Sequence, residues 1–335
     1  MSNFHLFKAC IALVLVGLVH SCNFKSPEEV EMDDRVRSLI SNMSLEEKVG
    51  QMTQVAIDLI IKDGSATKID PEKLREAIIE KRVGSILNVK GHAYTLAEWH
   101  SIINEIQKIA TEETPNAIPV LYGIDAIHGA TYIQDGTLFP HNIGMAASRN
   151  PELAGKAAHV TALETRAAGI RWNFDPVVGM GREPLWSRFE ETFGEDVFLT
   201  STMGSHVIKA YEKDDLSKVD AVASCMKHYI GYSVPASGKD RTPSYIPDRQ
   251  LREIFLPPFR EAVKAGTSTV MINSGEVNGT PVHASPYFLQ EILRDELGFQ
   301  GLAVSDWEDI IRLHSRHRIA SSPKEAVKLA VNAGI

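Results

Sequence analysis

Asp306 and Trp307 close an apolar run, GLAVSDW (301–307), at the point where a buried strand would surface. A carboxylate there can serve as the N-cap of a following helix, or it can be a reactive group set against an aromatic wall. Four other apolar runs end in the same way. IPVLYGID (118–125) ends on Asp125, WNFDPVV (172–178) carries Asp175, AVASCMKH (221–228) ends on Lys227 and His228, and TVMINSGE (269–276) ends on Asn273 and Glu276. Any one of these could be a cap or a solvated loop residue. Their recurrence at the same end of successive runs points to one shared site. Carboxylates with a Lys–His pair and an aromatic suit a neutral polyhydroxylated ring: charged groups bond the hydroxyls and the aromatic face covers the C–H face.

The elements that must position these groups are legible as an alternation. Seven short apolar runs are candidate strands: 51–55, 83–87, 118–125, 172–178, 221–228, 269–274 and 301–306. Between them lie amphipathic stretches such as TLAEWHSIINEIQKIATEE, PELAGKAAHVTALETRAAG and DRQLREIFLPPFREAVKAG. Strand-then-helix alternation implies a parallel sheet with crossover helices. Seven such units predict an α/β fold of the (β/α)8 TIM-barrel type, in which chemistry sits at the C-terminal ends of the strands. No G-x-G-x-x-G follows a strand, which removes the usual dinucleotide reading. The chain stops after SPKEAVKLAVNAG, where an eighth strand would start, so the barrel is expected to be cut short and the sequence to be a fragment. Upstream, a helix is expected from near Asp33, and SLEEKVG carries a capping-box pattern, Ser44 with Glu47.

At 335 residues, 44% hydrophobic and 23% charged, the chain has ample material for a folded core. A net charge of -8 and a pI near 5.9 argue against nucleic acid or an anionic membrane surface as partner. Residues 1–22 read as an export signal: Lys8 precedes an apolar run from Ala9 to Val19 that is too short to span a bilayer. LVHSC resembles the lipobox of bacterial lipoproteins, which implies acylation of Cys22, a tether over 23–32, and an exported, periplasmic or outer-membrane location. A cleaved signal with an incidental Cys is the plainer alternative. Only Cys225 would remain in the folded body, 33–335, so neither a disulfide nor a cysteine metal site is expected there.

YGIDAIHG (122–129), TLFPHNIGMAAS (137–148), GREPLWSRFEETFGED (181–196), KHYIGY (227–232), STVMINSGEVNG (268–279) and GFQGLAVSDWEDI (298–310) resemble, in order and spacing, the motifs of glycoside hydrolase family 3, the β-glucosidase family. The resemblance runs from Arg35 to the last residue. It implies that Asp306 is the nucleophile of a retaining hydrolase releasing β-linked glucose from the non-reducing ends of oligosaccharides. It further implies that Asp125, Arg188, Lys227 and His228 hold the sugar's hydroxyls, with Trp307 in the aromatic wall. Glu191 would pair with Arg188 and Arg312 would orient Asp306, while Glu276 is a candidate only. No cofactor or metal is implied.

A retaining mechanism also needs a second carboxyl, as acid/base, about 5 Å from the nucleophile. In two-domain members of that family it comes from an α/β sandwich that follows the barrel, and single-domain members use an Asp–His pair after the KH motif. Here that loop, GYSVPASGKDRTPS, holds Asp240 without a following Ser-His, so the substitute is not expected. The alternatives are a β-xylosidase, a Schiff-base aldolase using Lys227, and a sugar-binding lipoprotein without catalysis. His128, His141 and the HSRH stretch (314–317) lack a carboxylate at ligand spacing, so metal binding is not expected. His159, Trp99, Trp172 and Trp186 fit packing as well as function, and Trp186, beside Arg188, is the best placed for sugar stacking.

Overall fold

A computed structural model describes residues 27–335 and divides them into two units, up to Val49 and from Gly50 onward. In the first, a helix spans Pro27–Asn42, beginning inside the stretch read as a tether rather than near Asp33. The expected capping box is formed: Ser44 N–H donates to Glu47 Oε2 at 2.7 Å, and Glu47 N–H donates to Ser44 Oγ at 3.1 Å. It opens a helix over Leu45–Gln51, so the first expected strand starts later than its apolar run.

All seven expected parallel strands are present in the second unit: β1 (Gln54–Ala56), β2 (Ser85–Leu87), β3 (Leu121–Ile124), β4 (Trp172–Asn173), β5 (Cys225–Tyr229), β6 (Thr269–Ile272) and β9 (Leu302–Val304). β1 to β4 pair in chain order, as do β5, β6 and β9. Parallel bridges from Trp172 to Ala223 and from Val177 to Lys227 join the two ladders. β7 (Glu276–Val277) and β8 (Thr280–Pro281) form a small antiparallel hairpin outside that run.

The run is curled. Trp172, Phe174, Cys225 and Met271 form one apolar cluster against which Leu87 of β2 and Val304 of β9 also pack. Side chains from strands that far apart in the order meet only if the sheet bends toward a barrel, whose interior is filled by layers of strand residues. Gly123 in β3 belongs to the same filling: a Cβ there would lie 2.3 Å from the ring of Phe174. The architecture is thus α/β of the TIM-barrel type, and among the described residues no ladder joins β9 to β1.

The crossover helices form the outer layer, and four of them open on side-chain caps. Thr95 and Glu98 make a complete capping box for Leu96–Glu112, Asn150 caps Pro151–Ala167, and Ser322 caps Pro323–Ala333. Asp196 caps Val197–Glu212, which packs against both Pro151–Ala167 and Leu256–Lys264. Its last residue, buried Glu212, accepts from the backbone N–H and hydroxyl of both Ser224 and Ser268 at 2.7–2.9 Å. That carboxylate ties down the chain entering β5 and β6, so the opposite ends of these strands are free to carry chemistry.

Candidate active site

The five strand ends singled out in the sequence do converge. Asp125 follows β3, and its loop is fixed by Asn173, whose amide exchanges two hydrogen bonds with the backbone of Ala126 at 2.9 and 3.0 Å. Lys227, 1% exposed within β5, donates from Nζ to Asp125 Oδ1 at 2.7 Å. Burial alone would lower the Lys227 ammonium, but the charges of Asp125 and Glu191 more than offset it and hold the group above its ordinary value. A lysine kept protonated is no Schiff-base nucleophile, which argues against the aldolase alternative.

Arg188 lies on the loop after β4 and grips Glu191 through two parallel bonds of 2.8 Å, the fork geometry that makes arginine–carboxylate pairs specific. This is the pairing the sequence motif implied. The guanidinium also stands over the rings of Trp186 and Tyr232 at 5.9 and 5.6 Å. Its Nη2 donates to His228 Nε2 at 3.2 Å. Because a guanidinium only donates, His228 Nε2 is the acceptor and the ring proton sits on Nδ1. Burial and the adjacent Arg188 push the imidazole well below its ordinary value, consistent with that neutral tautomer.

Asp306 lies just past β9 with its side chain 12% exposed. It does not cap the helix that follows, Asp309–Ser315, whose N-cap is Glu308 in a left-handed conformation without a side-chain bond. Instead, its Oδ2 accepts from Ser274 Oγ at 2.9 Å and lies 3.7 Å from His228 Nε2. Its Oδ1 accepts from the Trp307 amide and from Arg241 Nη2, the latter at 3.3 Å. Burial would raise this carboxyl. Arg241, the Trp307 amide and Arg188 outweigh it and hold the group well below the usual carboxylate range. With His228 neutral, the standing positive charge is that of Arg241 and Arg188. Asp306 is therefore an ionised, partly enclosed carboxylate at ordinary pH.

Arg241 is the residue the sequence reading missed. The role expected of Arg312 falls partly to it, because Arg312 donates to Asp309 Oδ1 at 2.8 Å and to the Trp307 carbonyl at 2.6 Å, and no hydrogen bond or ion pair joins it to Asp306 among the described residues. Nothing in the local periodicity of the loop after β5 predicts the contact with Asp306. Asp240, weighed as an acid/base substitute, receives Trp186 Nε1 at 2.8 Å and the Tyr232 hydroxyl at 2.7 Å, so it ties this loop to the Arg188 loop. Trp186 is thereby buried packing rather than a stacking platform, and Trp99 and Trp172 are buried as well.

Trp307 is 47% exposed, as an aromatic wall facing an entering ligand would be. Glu276, in β7, is bonded to His317 Nδ1 at 2.6 Å. His314 turns instead to the Ala320 carbonyl, and the rings of His128 and His141 lie 4.1 Å apart. Among the described residues no group of three or more His, Cys, Asp or Glu side chains could hold a metal. Cys225 is a buried core thiol, pushed up to about 12 by burial. Cys22, the expected lipidation site, lies outside the described residues.

An ionised carboxylate, a neutral imidazole, a lysine paired with a second carboxylate, and an arginine thus gather beside an exposed tryptophan. Residues 44–335 match the Glycosyl hydrolase family 3 N terminal domain, and the chain belongs to that family. It is 45% identical over 327 residues to a lysosomal beta glucosidase of Dictyostelium discoideum, covering 93% of this chain and 39% of that protein. A beta-xylosidase of Formosa agariphila is 32% identical over 319 residues, covering 93% of this chain and 37% of its own length. Among solved structures, the Listeria innocua beta-glucosidase in complex with isofagomine superposes with a TM-score of 0.78 at 29% identity, covering 90% of this chain and 40% of that one. The chain thus spans about two fifths of the length of these relatives.

Proposed function

We propose that this chain carries the nucleophile and the first sugar subsite of a retaining β-glucosidase. In that reading Asp306 attacks the anomeric carbon as oxocarbenium character develops, giving a covalent glycosyl ester that water later hydrolyses. The observation that carries the proposal is the state of Asp306: enclosed at a strand end, yet held ionised by Arg241 and Arg188. Asp125 and Lys227 form a ready-made pair of acceptor and donor for adjacent hydroxyls. Arg188 and His228 supply further bonds, and Trp307 covers the ring. Bonds that tighten as charge develops on the sugar lower the barrier, whereas bonds equally good in the ground state do not.

The test uses a 2-fluoro glucoside bearing a dinitrophenyl leaving group, which departs without a proton and so asks nothing of an acid/base. The expected result is a stable adduct that peptide mass mapping places on Asp306 and that Asp306→Asn abolishes. An adduct on another residue, or none, would overturn the assignment. Similarity to a beta-xylosidase keeps a second reading in play. Faster capture of the corresponding 2-fluoro xyloside than of the glucoside would decide for it.

A further inference from the structure

Arg241 reaches Asp306 from a loop pinned on several sides. Its backbone is left-handed, with φ of 60°. The Arg316 guanidinium donates to its carbonyl at 3.2 Å, Thr242 Oγ1 donates to the Lys239 carbonyl at 2.7 Å, and Asp240 anchors the preceding position to Trp186 and Tyr232. The guanidinium, 19% exposed, then forks: Nη1 donates to buried Asp309 Oδ1 at 2.9 Å and Nη2 to Asp306 Oδ1 at 3.3 Å. Arg312 Nη1 donates to the same oxygen, Asp309 Oδ1, at 2.8 Å, so the two guanidiniums share that buried carboxylate.

We propose that Arg241 is the positioning residue for Asp306, loading Oδ1 so that Oδ2 is the oxygen that attacks. Oδ1 already accepts two donors, Arg241 and the Trp307 amide, whereas Oδ2 accepts only the Ser274 hydroxyl and keeps a lone pair free. In the capture step an electron pair of Oδ2 forms the bond to the anomeric carbon. The bond from that carbon to the leaving oxygen breaks, and its pair departs on dinitrophenolate. Oδ1 becomes the ester carbonyl, still bonded to Arg241. The inference rests on the nucleophile assignment made above and gives a role to a residue of the loop after β5.

The charged and titratable groups that face Asp306 are His228 from β5, Arg188 from the loop after β4, Arg241 from the loop after β5, and His283 from the turn after β8. Asp309 faces the shared guanidinium from the helix after β9. Of these, Arg241 is the only guanidinium hydrogen-bonded to Asp306 among the described residues. The test measures the rate of capture by the 2-fluoro dinitrophenyl glucoside against pH for wild type, Arg241→Gln and Arg241→Lys. Arg241→Gln is expected to capture about tenfold more slowly near neutral pH, through lost alignment. Its low-pH limb is expected to move up by about one pH unit, the lower end of the effect of a nearby opposite charge on a carboxylate. Arg241→Lys is expected to restore the limb, because the charge returns, but not the rate, because an ammonium cannot fork between two carboxylates. An equal, pH-independent loss in both variants would mean that Arg241 only holds its loop, and wild-type kinetics in Arg241→Gln would mean that it does nothing; either overturns the proposal. If Arg241→Gln does not fold, the Arg241→Lys limb and rate decide alone. Absence of capture by wild type would overturn the glucosidase reading, and this inference with it.

Discussion

Asp175 offers a test of the fold's electrostatics that is independent of any substrate. It follows β4, is 3% exposed, and accepts from the Tyr211 hydroxyl through Oδ2 at 2.9 Å. Its Oδ1 is buried without a hydrogen-bond partner among the described residues. Burial pushes this carboxyl up from 3.8 to about 7, against the pull of Lys227 and Tyr211. Because the folded value lies above the unfolded one, the native state binds the extra proton between pH 3.8 and about 7. Stability contributed by this group is therefore fully present below the unfolded value and is lost as pH rises through the folded one. The gap between the two values corresponds to about 4 kcal/mol across that window. Asp175→Asn keeps the shape and the acceptor for Tyr211 but cannot titrate. Urea unfolding of both proteins should give similar midpoints near pH 4. The variant should then become progressively more stable than wild type toward pH 8, by up to about 4 kcal/mol. The depressed Asp306 acts in a separate window: its contribution is present above the unfolded value and is lost only as pH falls below it, so it cancels in the comparison. Parallel midpoint curves from pH 4 to pH 8 would refute the assignment of a protonated Asp175.

Two further outcomes are expected. Asp125→Ala leaves Lys227 as a buried charge without its principal partner and should cost about 3–5 kcal/mol in urea unfolding, whereas Asp125→Ala with Lys227→Met should recover most of that loss; equal destabilisation of the single and double variants would show that the pair is not coupled. Metabolic labelling with an alkyne fatty acid in a bacterial host should mark the wild-type chain and not Cys22→Ala, and labelling of both, or of neither, would remove the lipid-anchor reading.

Much of this site could be read along the chain because its groups end strands. Burial of both faces of a parallel strand makes an apolar run, and the first polar residue after it marks the place where the chain leaves the core. Asp125 and Asp306 are marked in that way, whereas Lys227 and His228 stand out as a polar pair within the buried run of β5 itself. Arg188 and Glu191 were legible for a different reason, since three residues across a tight turn bring their side chains together. The helix start at Ser44 followed from capping chemistry, which is local. The hairpin of β7 and β8 was not legible, being two residues per strand and without alternation. The bond between Glu276 and His317 was not legible either, since it joins segments that share no periodicity.

By itself the sequence determined the order of strands and helices, the caps, the acidic surface balance and the polar residues that close each strand, because these depend on neighbours a few positions away. The tertiary structure alone decided which of several cations serves the key carboxylate. Arg312, near Asp306 in sequence, is taken up by Asp309 and the Trp307 carbonyl, while Arg241, on the loop after β5, supplies the contact. The physical reason is competition in a crowded cleft. A guanidinium goes where its whole fork can be satisfied, and that depends on where the other loops have already placed their carboxylates.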